Sequence, residues 1–195
     1  MRELPALILF AAVMCLTPGP NVVLATASAA NFGFRRTVPQ IAGVTVGFGL
    51  QVMAAGLGLA GLFQAEPLAH TALKYVGAGY LLYLAWRIAN ASAATDTRRA
   101  RPLSFFEGAL VTWLNPKGWV TAVGAVAAFT TPHEGMVRQV VVIALVLAVA
   151  CGASLALWAG FGAAIARFLA RPPIRRAFNG AMAGLLVLSL VPVFA

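Results

Sequence analysis

Two proline motifs carry polar groups into otherwise apolar stretches of this sequence. The first apolar run contains Thr17-Pro18-Gly19-Pro20-Asn21, and the fourth contains Asn115-Pro116-Lys117-Gly118 at a similar depth. Proline removes a hydrogen bond from a helix and clashes with the preceding turn, so each motif predicts a kinked or unwound segment. In lipid, such freed backbone groups are tolerated only where protein or a water-filled cavity receives them. The motifs therefore predict one shared polar site, although two structural kinks without a ligand would also fit the pattern.

The side chains of these motifs suit a small zwitterion. Asn21 and Asn115 supply amide donors and acceptors, and Thr17 and Thr112 add hydroxyls, which can instead bond to their own helix backbone. Lys117 is the most informative residue, because a lysine inside an apolar run costs about 2.5–3.5 kcal/mol on insertion scales. Its ammonium could pair with a substrate carboxylate or exchange a proton. The alternative is that the side chain extends to the membrane surface.

Two further polar residues are candidates. Gln51 is the one strongly polar side chain deep in the second apolar run, where it could bind substrate or form an interhelical hydrogen bond. Glu107, just inside the fourth run, is the carboxylate nearest to mid-membrane depth. A proton-driven carrier would therefore move its proton through Glu107, Lys117 or the substrate itself. Glu107 is also typical of a charge at a helix N-terminus.

Other chemistries have no matching residues in the sequence. The two cysteines, Cys15 and Cys151, lie inside apolar runs and form no Cys/His cluster, so we predict no metal. GxSxG, HExxH and Walker A motifs do not occur, so we predict no cofactor and no enzyme. A transmembrane thiol oxidoreductase is an alternative, but its expected second cysteine falls at Trp113. A non-transporting membrane subunit is another.

Transmembrane helices must position these residues. The 195-residue chain is 61% hydrophobic and 10% charged, with a mean hydropathy of +0.88. A soluble domain carries about 25% charged residues, so the bilayer is the solvent that suits this composition. Each spanning helix needs about 20 apolar residues. We predict an all-α integral membrane protein with about six transmembrane helices, at residues 4–30, 38–63, 68–89, 105–129, 139–169 and 178–194.

The polar linker at residues 91–104 divides a single transmembrane domain, residues 1–195, into two halves. Residues 1–90 and 105–195 each hold three apolar runs. Because three is odd, the second half enters the membrane in the opposite orientation, which is the arithmetic of an inverted repeat. Proline motifs at equal depth in helices one and four support two inverted three-helix repeats, each with one broken helix.

The arginines are concentrated in every second loop between the predicted transmembrane helices. Cytoplasmic loops attract Lys and Arg, so we predict that the first, third and fifth loops face the cytoplasm and both termini face the periplasm. The net charge of +9 is thus explained without nucleic acid. The N-terminal run also resembles a cleavable signal peptide, although Pro-Gly-Pro is unusual there. The basic set is Arg35, Arg36, Arg87, Arg98, Arg99, Arg101, Arg167, Arg171, Arg175 and Arg176. The second and fourth loops hold Glu66, His70, His133, Glu134 and Arg138.

The combination and order of motifs resemble the lysine exporter/homoserine–threonine resistance family, LysE/RhtB. The matching segments are TPGPN at 17–21, GFRR at 33–36, KYVGAGYLLYLAW at 74–86 and NPK at 115–117. The resemblance spans essentially the whole chain, and residues after Phe129 match only by hydropathy and loop charge. Many relatives have an Asp or His near Gln51, which leaves the coupling ion open.

This resemblance implies efflux of amino acids or related metabolites across a bacterial inner membrane, driven by the proton gradient. It also implies that Pro18-Gly19-Pro20 and Asn115-Pro116-Lys117 line the central site. The expected partners are a small-molecule substrate and the lipid bilayer, and a homo-oligomer is left open.

Overall fold

The computed structural model describes residues 3–59, 67–91, 101–131 and 135–194, and these are helical apart from short breaks. The helices are α1 Leu4–Leu16, α2 Pro20–Phe32, α3 Phe34–Ala54, α4 Pro67–Asn90, α5 Phe105–Trp113, α6 Pro116–Phe129, α7 Met136–Ile165, α8 Pro172–Leu188 and α9 Val191–Phe194. A π-type turn extends α3 and a tight 3-10 turn extends α7. The described ranges hold no strand, and the all-α prediction is confirmed for them. Five residues of the predicted loops lie outside the described residues: Glu66, Arg98, Arg99, His133 and Glu134.

Two continuous helical segments of the described chain are long and apolar enough to cross a membrane. They are Phe34–Gly58, with a mean hydropathy of 1.6, and Met136–Ala170, with 2.8. Helices α1 and α2 pass the same test together, with a bend of 57° between them. The structure thus supports a membrane protein with two or three candidate spans, whereas six spans stay a prediction. Helices α5 and α6, with 9 and 14 residues, are each too short to span alone.

Local sequence explains the breaks between α1 and α2 and between α5 and α6. Thr17 precedes Pro18 and has φ −61° and ψ 124°, and Asn115 precedes Pro116 and has φ −90° and ψ 112°. A proline ring clashes with the preceding residue in the α conformation and pushes it to extended backbone. Pro20 and Pro116 then begin the next helices, where a missing N–H costs nothing.

Glycines bring α3 and α5 into backbone contact. A Cβ at Gly43 would overlap the carbonyl group of Phe105, and one at Gly47 would lie 3.0 Å from the Cα of Ala109. The Trp113 indole N–H donates to the Gly47 carbonyl at 3.0 Å. Small residues four apart let two helices approach closely in lipid, where no hydrophobic effect drives them together. Helix α5, which leads into the second break, is thereby fixed against α3.

Helix α2 lies between two apolar clusters. The larger cluster joins α1, one face of α2, α3, α6 and α7, and the smaller joins the other face of α2 to α4, α5 and α8. Residues 22–30 of α2 are all buried as a result. Both breaks border the larger cluster. The buried helix α2 therefore forms one fixed side of the region between the two breaks.

Gly43→Ala should destabilise the protein, because the added methyl group meets the Phe105 backbone, which cannot move aside. We expect a loss of about 1–3 kcal/mol in the free energy of unfolding, the usual cost of overpacking. Gly79→Ala in α4 is the matched control, because a Cβ there meets nothing within 4 Å. Thermal unfolding in detergent measures both variants. Equal shifts of the two unfolding temperatures would contradict the contact.

Candidate functional site

The two helix breaks meet through Lys117. Its Nζ donates to the Thr17 carbonyl oxygen at 2.8 Å. In a continuous helix that carbonyl would accept from the N–H four residues later, but the extended backbone after it prevents this. The lysine stem passes close to Gly19, where a Cβ would lie 3.2 Å from Lys117 Cδ and 3.4 Å from Nζ. Gly19 therefore leaves the space through which the Lys117 ammonium, beside one break, reaches the freed carbonyl at the other break.

Asn115 shapes the start of α6. Its Oδ1 accepts from the Lys117 backbone N–H at 3.1 Å, and its carbonyl accepts from Gly118 N–H at 3.0 Å. An asparagine at this position satisfies one of the free N–H groups at a helix N-terminus. The residue is buried, so this cap forms inside the protein and holds Lys117 in the first turn of α6.

Thr112 links the amide side chains of α2 and α3. Asn21 Nδ2 donates to the Thr112 hydroxyl at 3.3 Å, and Gln51 Nε2 donates to the Thr112 carbonyl at 3.3 Å. Asn21 Oδ1 and Gln51 Oε1 are buried and accept no hydrogen bond from the described residues. Two such acceptors, joined through one threonine, could receive the donors of a bound solute. Three other described side chains hold an orphaned atom outside this site: Gln40, Trp158 and Arg175.

A small cavity lies between the breaks, and the space open to the centres of water molecules in it is about 50 Å³. This volume holds a few water molecules. Both breaks contribute to its wall with Thr17, Gly19, Asn21, Asn115 and Lys117. The wall is completed by Met14, Cys15, Val22, Phe48, Gly118, Thr121, Cys151 and Leu155.

The predicted site residues divide into those at this cavity and those behind it. Thr17, Gly19, Asn21, Asn115 and Lys117 line the cavity. Gln51 is fully buried behind Gly118, where a Cβ would lie 2.6 Å from Gln51 Oε1. The prolines at 18, 20 and 116 are not part of the wall, and act by breaking the helices.

Glu107 lies away from this cavity and holds the N-terminus of α5. Its carboxylate accepts from Arg101 at 2.6 Å and 3.0 Å, and pairs with Arg87 at 3.3 Å. It also caps the helix reciprocally with Ser104. Hydrogen bonding to Glu107 raises the pKa of the Arg101 guanidinium. These contacts tie the end of α4, the segment before α5 and α5 itself together.

A larger cavity of about 240 Å³ lies between α2, α4 and residues 101–103. Asn31, Arg87 and Arg101 are among its polar lining, but most of its wall is apolar. It contains neither helix break. Size alone therefore does not make it the site of chemistry.

Sequence reasoning missed the two cysteines as parts of one site. Only the thiol oxidoreductase alternative required a second cysteine, at the position of Trp113, whereas the structure places Cys15 and Cys151 on the same cavity wall. Phe48 and Thr121 were missed as well. Thr121 lies four residues after Lys117, and this helical spacing is the one signal in the sequence that could have found it.

Described residues that are almost all helical, with apolar candidate spans and a cavity bordered by two helix breaks, are typical of a membrane transport protein. The profile of the family described as LysE type translocator matches residues 12–193, and the chain belongs to this family. The resemblance to LysE/RhtB proteins is thus confirmed.

Curated relatives agree with this assignment. A cysteine/O-acetylserine efflux protein of Escherichia coli is 31% identical over 183 residues, 93% of this chain and 92% of the relative. The protein of the same name from Salmonella typhimurium is 34% identical over 137 residues, 70% of each chain. No solved structure matches the chain significantly. The predictions of amino-acid efflux, and of a transporter rather than an enzyme, are confirmed.

Gly118→Ala should displace Gln51, because the added methyl group would lie 2.6 Å from Gln51 Oε1 and the buried amide has little room to move. We expect a loss of about 1–3 kcal/mol in unfolding free energy from this overpacking. Gly124→Ala, on the same helix with nothing within 4 Å of the added Cβ, is the control. Thermal unfolding measures both.

A double-mutant cycle sharpens this prediction. In a Gln51→Ala background the cost of Gly118→Ala should largely disappear, since the clashing atom is gone. An equal cost in both backgrounds would show that the Gly118–Gln51 contact is not the cause.

Proposed function

We propose that this protein exports small amino acids with uncharged side chains, and that they bind between the two helix breaks. The observation that carries this proposal is the bond from Lys117 to the Thr17 carbonyl, a cation held by a neutral acceptor. A substrate carboxylate would replace that carbonyl as the partner of the ammonium, because two opposite charges attract each other more strongly than a charge attracts a neutral oxygen. The Asn21 side-chain oxygen, which lies at the cavity and accepts no hydrogen bond from the described residues, would receive the substrate ammonium group.

The cavity wall favours a neutral side chain on the substrate. Among the residues that line it there is no Asp or Glu to pair with a second ammonium group. Cys15, Phe48 and Leu155 supply apolar contacts instead. The names of the relatives, cysteine/O-acetylserine efflux proteins, fit this chemistry, so we propose cysteine and O-acetylserine as the first solutes to test.

We propose that α1 with α2, and α5 with α6, are two broken spans related by an inverted repeat. Helix packing supports this proposal. The helix that follows each broken span packs on the broken span of the other half. Helix α3 packs on α5 and α6, and α7 packs on α1 and α2. In this arrangement the substrate lies at the interface of the repeats, where alternating access moves one half against the other.

The proposed orientation puts the arginine-rich ends in the cytoplasm and both termini in the periplasm. Two contacts support a single basic side. Asn31, at the end of α2, exchanges amide hydrogen bonds with Asn179 of α8 at 2.8 Å and 3.2 Å. Arg87, at the end of α4, pairs with Glu107 at the start of α5. The helix ends that carry most of the arginines are thereby held together, as expected for one membrane face.

We propose that export is driven by the proton gradient and that Lys117 takes part in coupling. Lys117 is at the cavity and touches the freed carbonyl, so its bonding changes when the solute enters. Glu107 is held by two guanidinium groups at the far end of α5 and is the weaker candidate. Transport also requires the breaks to separate, because alternating access opens the site to each side of the membrane in turn.

Lys117→Met should abolish most export, because it keeps an apolar stem and removes the ammonium that binds carboxylate. The loss of one charged hydrogen bond of about 1.5–3 kcal/mol corresponds to roughly tenfold or more in transport efficiency. Lys117→Arg, which keeps the charge, is the control and should retain more export. Counterflow of labelled cysteine and O-acetylserine in proteoliposomes measures both. Wild-type rates for Lys117→Met would refute the proposed site.

Glu107→Gln separates the two proton-coupling candidates. The change removes the ion pairs with Arg87 and Arg101, so the unfolding free energy should fall by about 1 kcal/mol or less. We expect export driven by an imposed pH gradient to keep the pH dependence of the wild type. A variant that still exchanges solute but no longer responds to the gradient would make Glu107 the proton carrier and overturn this assignment.

A further inference from the structure

Cys15 of α1 and Cys151 of α7 meet beside the helix breaks. Both side chains line the wall of the cavity between the breaks. Two neighbouring contacts locate the pair independently: Cys15 Sγ lies 3.9 Å from the Leu147 carbonyl oxygen, and Ser154 Oγ donates to the Cys15 carbonyl at 2.8 Å. Positions 147, 151 and 154 share one face of α7, so Cys151 lies between the two contacts.

The environment of the pair favours reaction with an oxidant. Both sulfurs line the cavity that also contains the Lys117 side chain. A nearby ammonium group favours the thiolate, which is the reactive form of cysteine. Both cysteines are reduced, and the chain has no others, so pairing within one molecule has a single outcome.

We propose that Cys15 and Cys151 form a reversible disulfide when peroxide enters the cavity. The thiolate of one cysteine attacks an oxygen of hydrogen peroxide, the O–O bond breaks, and a sulfenic acid forms with release of hydroxide, which takes up the thiol proton as water. The second thiol attacks the sulfenic sulfur, forming the S–S bond and releasing a second water molecule. Both thiols are oxidised by two electrons in total and one peroxide is reduced, so no other reactant is needed.

The cross-link would stop export. It would join the last turn of α1 to the middle of α7. Cys15, the residue linked on α1, lies two residues before the break at Thr17. A disulfide holds the two Cα atoms within about 7 Å, which fixes the cavity wall in its narrow state. This consequence depends on the proposed substrate site, whereas the disulfide itself does not.

The cross-link is tested on purified full-length protein in lipid nanodiscs. After treatment with hydrogen peroxide, free thiols are blocked with a maleimide and the digest is analysed by mass spectrometry. We expect a peptide joining positions 15 and 151 in monomeric protein, lost on addition of dithiothreitol and absent from Cys151→Ser. The proposal is overturned if both cysteines remain open to the maleimide, or if only disulfides between two molecules form.

Transport in proteoliposomes tests the consequence, with each variant compared to itself before and after peroxide. Wild-type export should fall at least about tenfold and recover with dithiothreitol, because the linked helices cannot separate. Cys15→Ser and Cys151→Ser should show no change on oxidation, whatever their starting rates. A disulfide that forms without slowing export would overturn the block. If reduced wild type exports none of the tested solutes, the substrate proposal fails, while the peptide analysis still decides the disulfide.

Discussion

The arrangement of this protein depends on one bond between its two helix breaks, from the Lys117 ammonium to the Thr17 carbonyl. Proline breaks leave backbone groups that lipid cannot satisfy, and an unpaired carbonyl there costs several kcal/mol. A lysine at the same depth has the reciprocal problem, since its charge needs a partner. The hydrogen bond lowers both costs, because the carbonyl gains a donor and the ammonium gains a partner. It nevertheless joins a full charge to a neutral oxygen. The ammonium therefore stays open to exchange for an anionic partner.

Close helix packing supplies the precision that this bond requires. The backbone contact of Gly43 with Phe105 fixes α5 on α3, and the Trp113 indole bond to Gly47 fixes where α5 ends. Only then does Thr112 reach Asn21 and Gln51 together. The polar site thus depends on Gly47 and Gly43, about one and two helical turns before Gln51 on α3. These glycines set the position of α5 although they have no side chain of their own.

What could be predicted from the sequence was local in origin. Both breaks follow from proline chemistry within a few residues, and Lys117 stands out because its insertion cost depends on its own segment. For Gln51 the sequence offered an interhelical hydrogen bond or a ligand contact. The structure shows the first through Nε2 and leaves Oε1 available. The pairing of Glu107 with Arg87 and the proximity of Cys15 to Cys151 depend on how separate helices pack, and no pattern along the chain records that.

The helix most able to move at this site is α1. Its buried residues are Leu7 and Ala11, whereas α2 buries almost every residue from Val22 onward. Moving α1 therefore exposes far less packed surface than moving α2, and the extended residues between them form a ready hinge. Near the break, α1 is held by the Lys117 bond and by two contacts of Cys15 with α7. A substrate carboxylate that takes over the Lys117 ammonium removes the bond between α1 and α6. Solute binding would thereby release the helix whose movement is needed to widen the cavity.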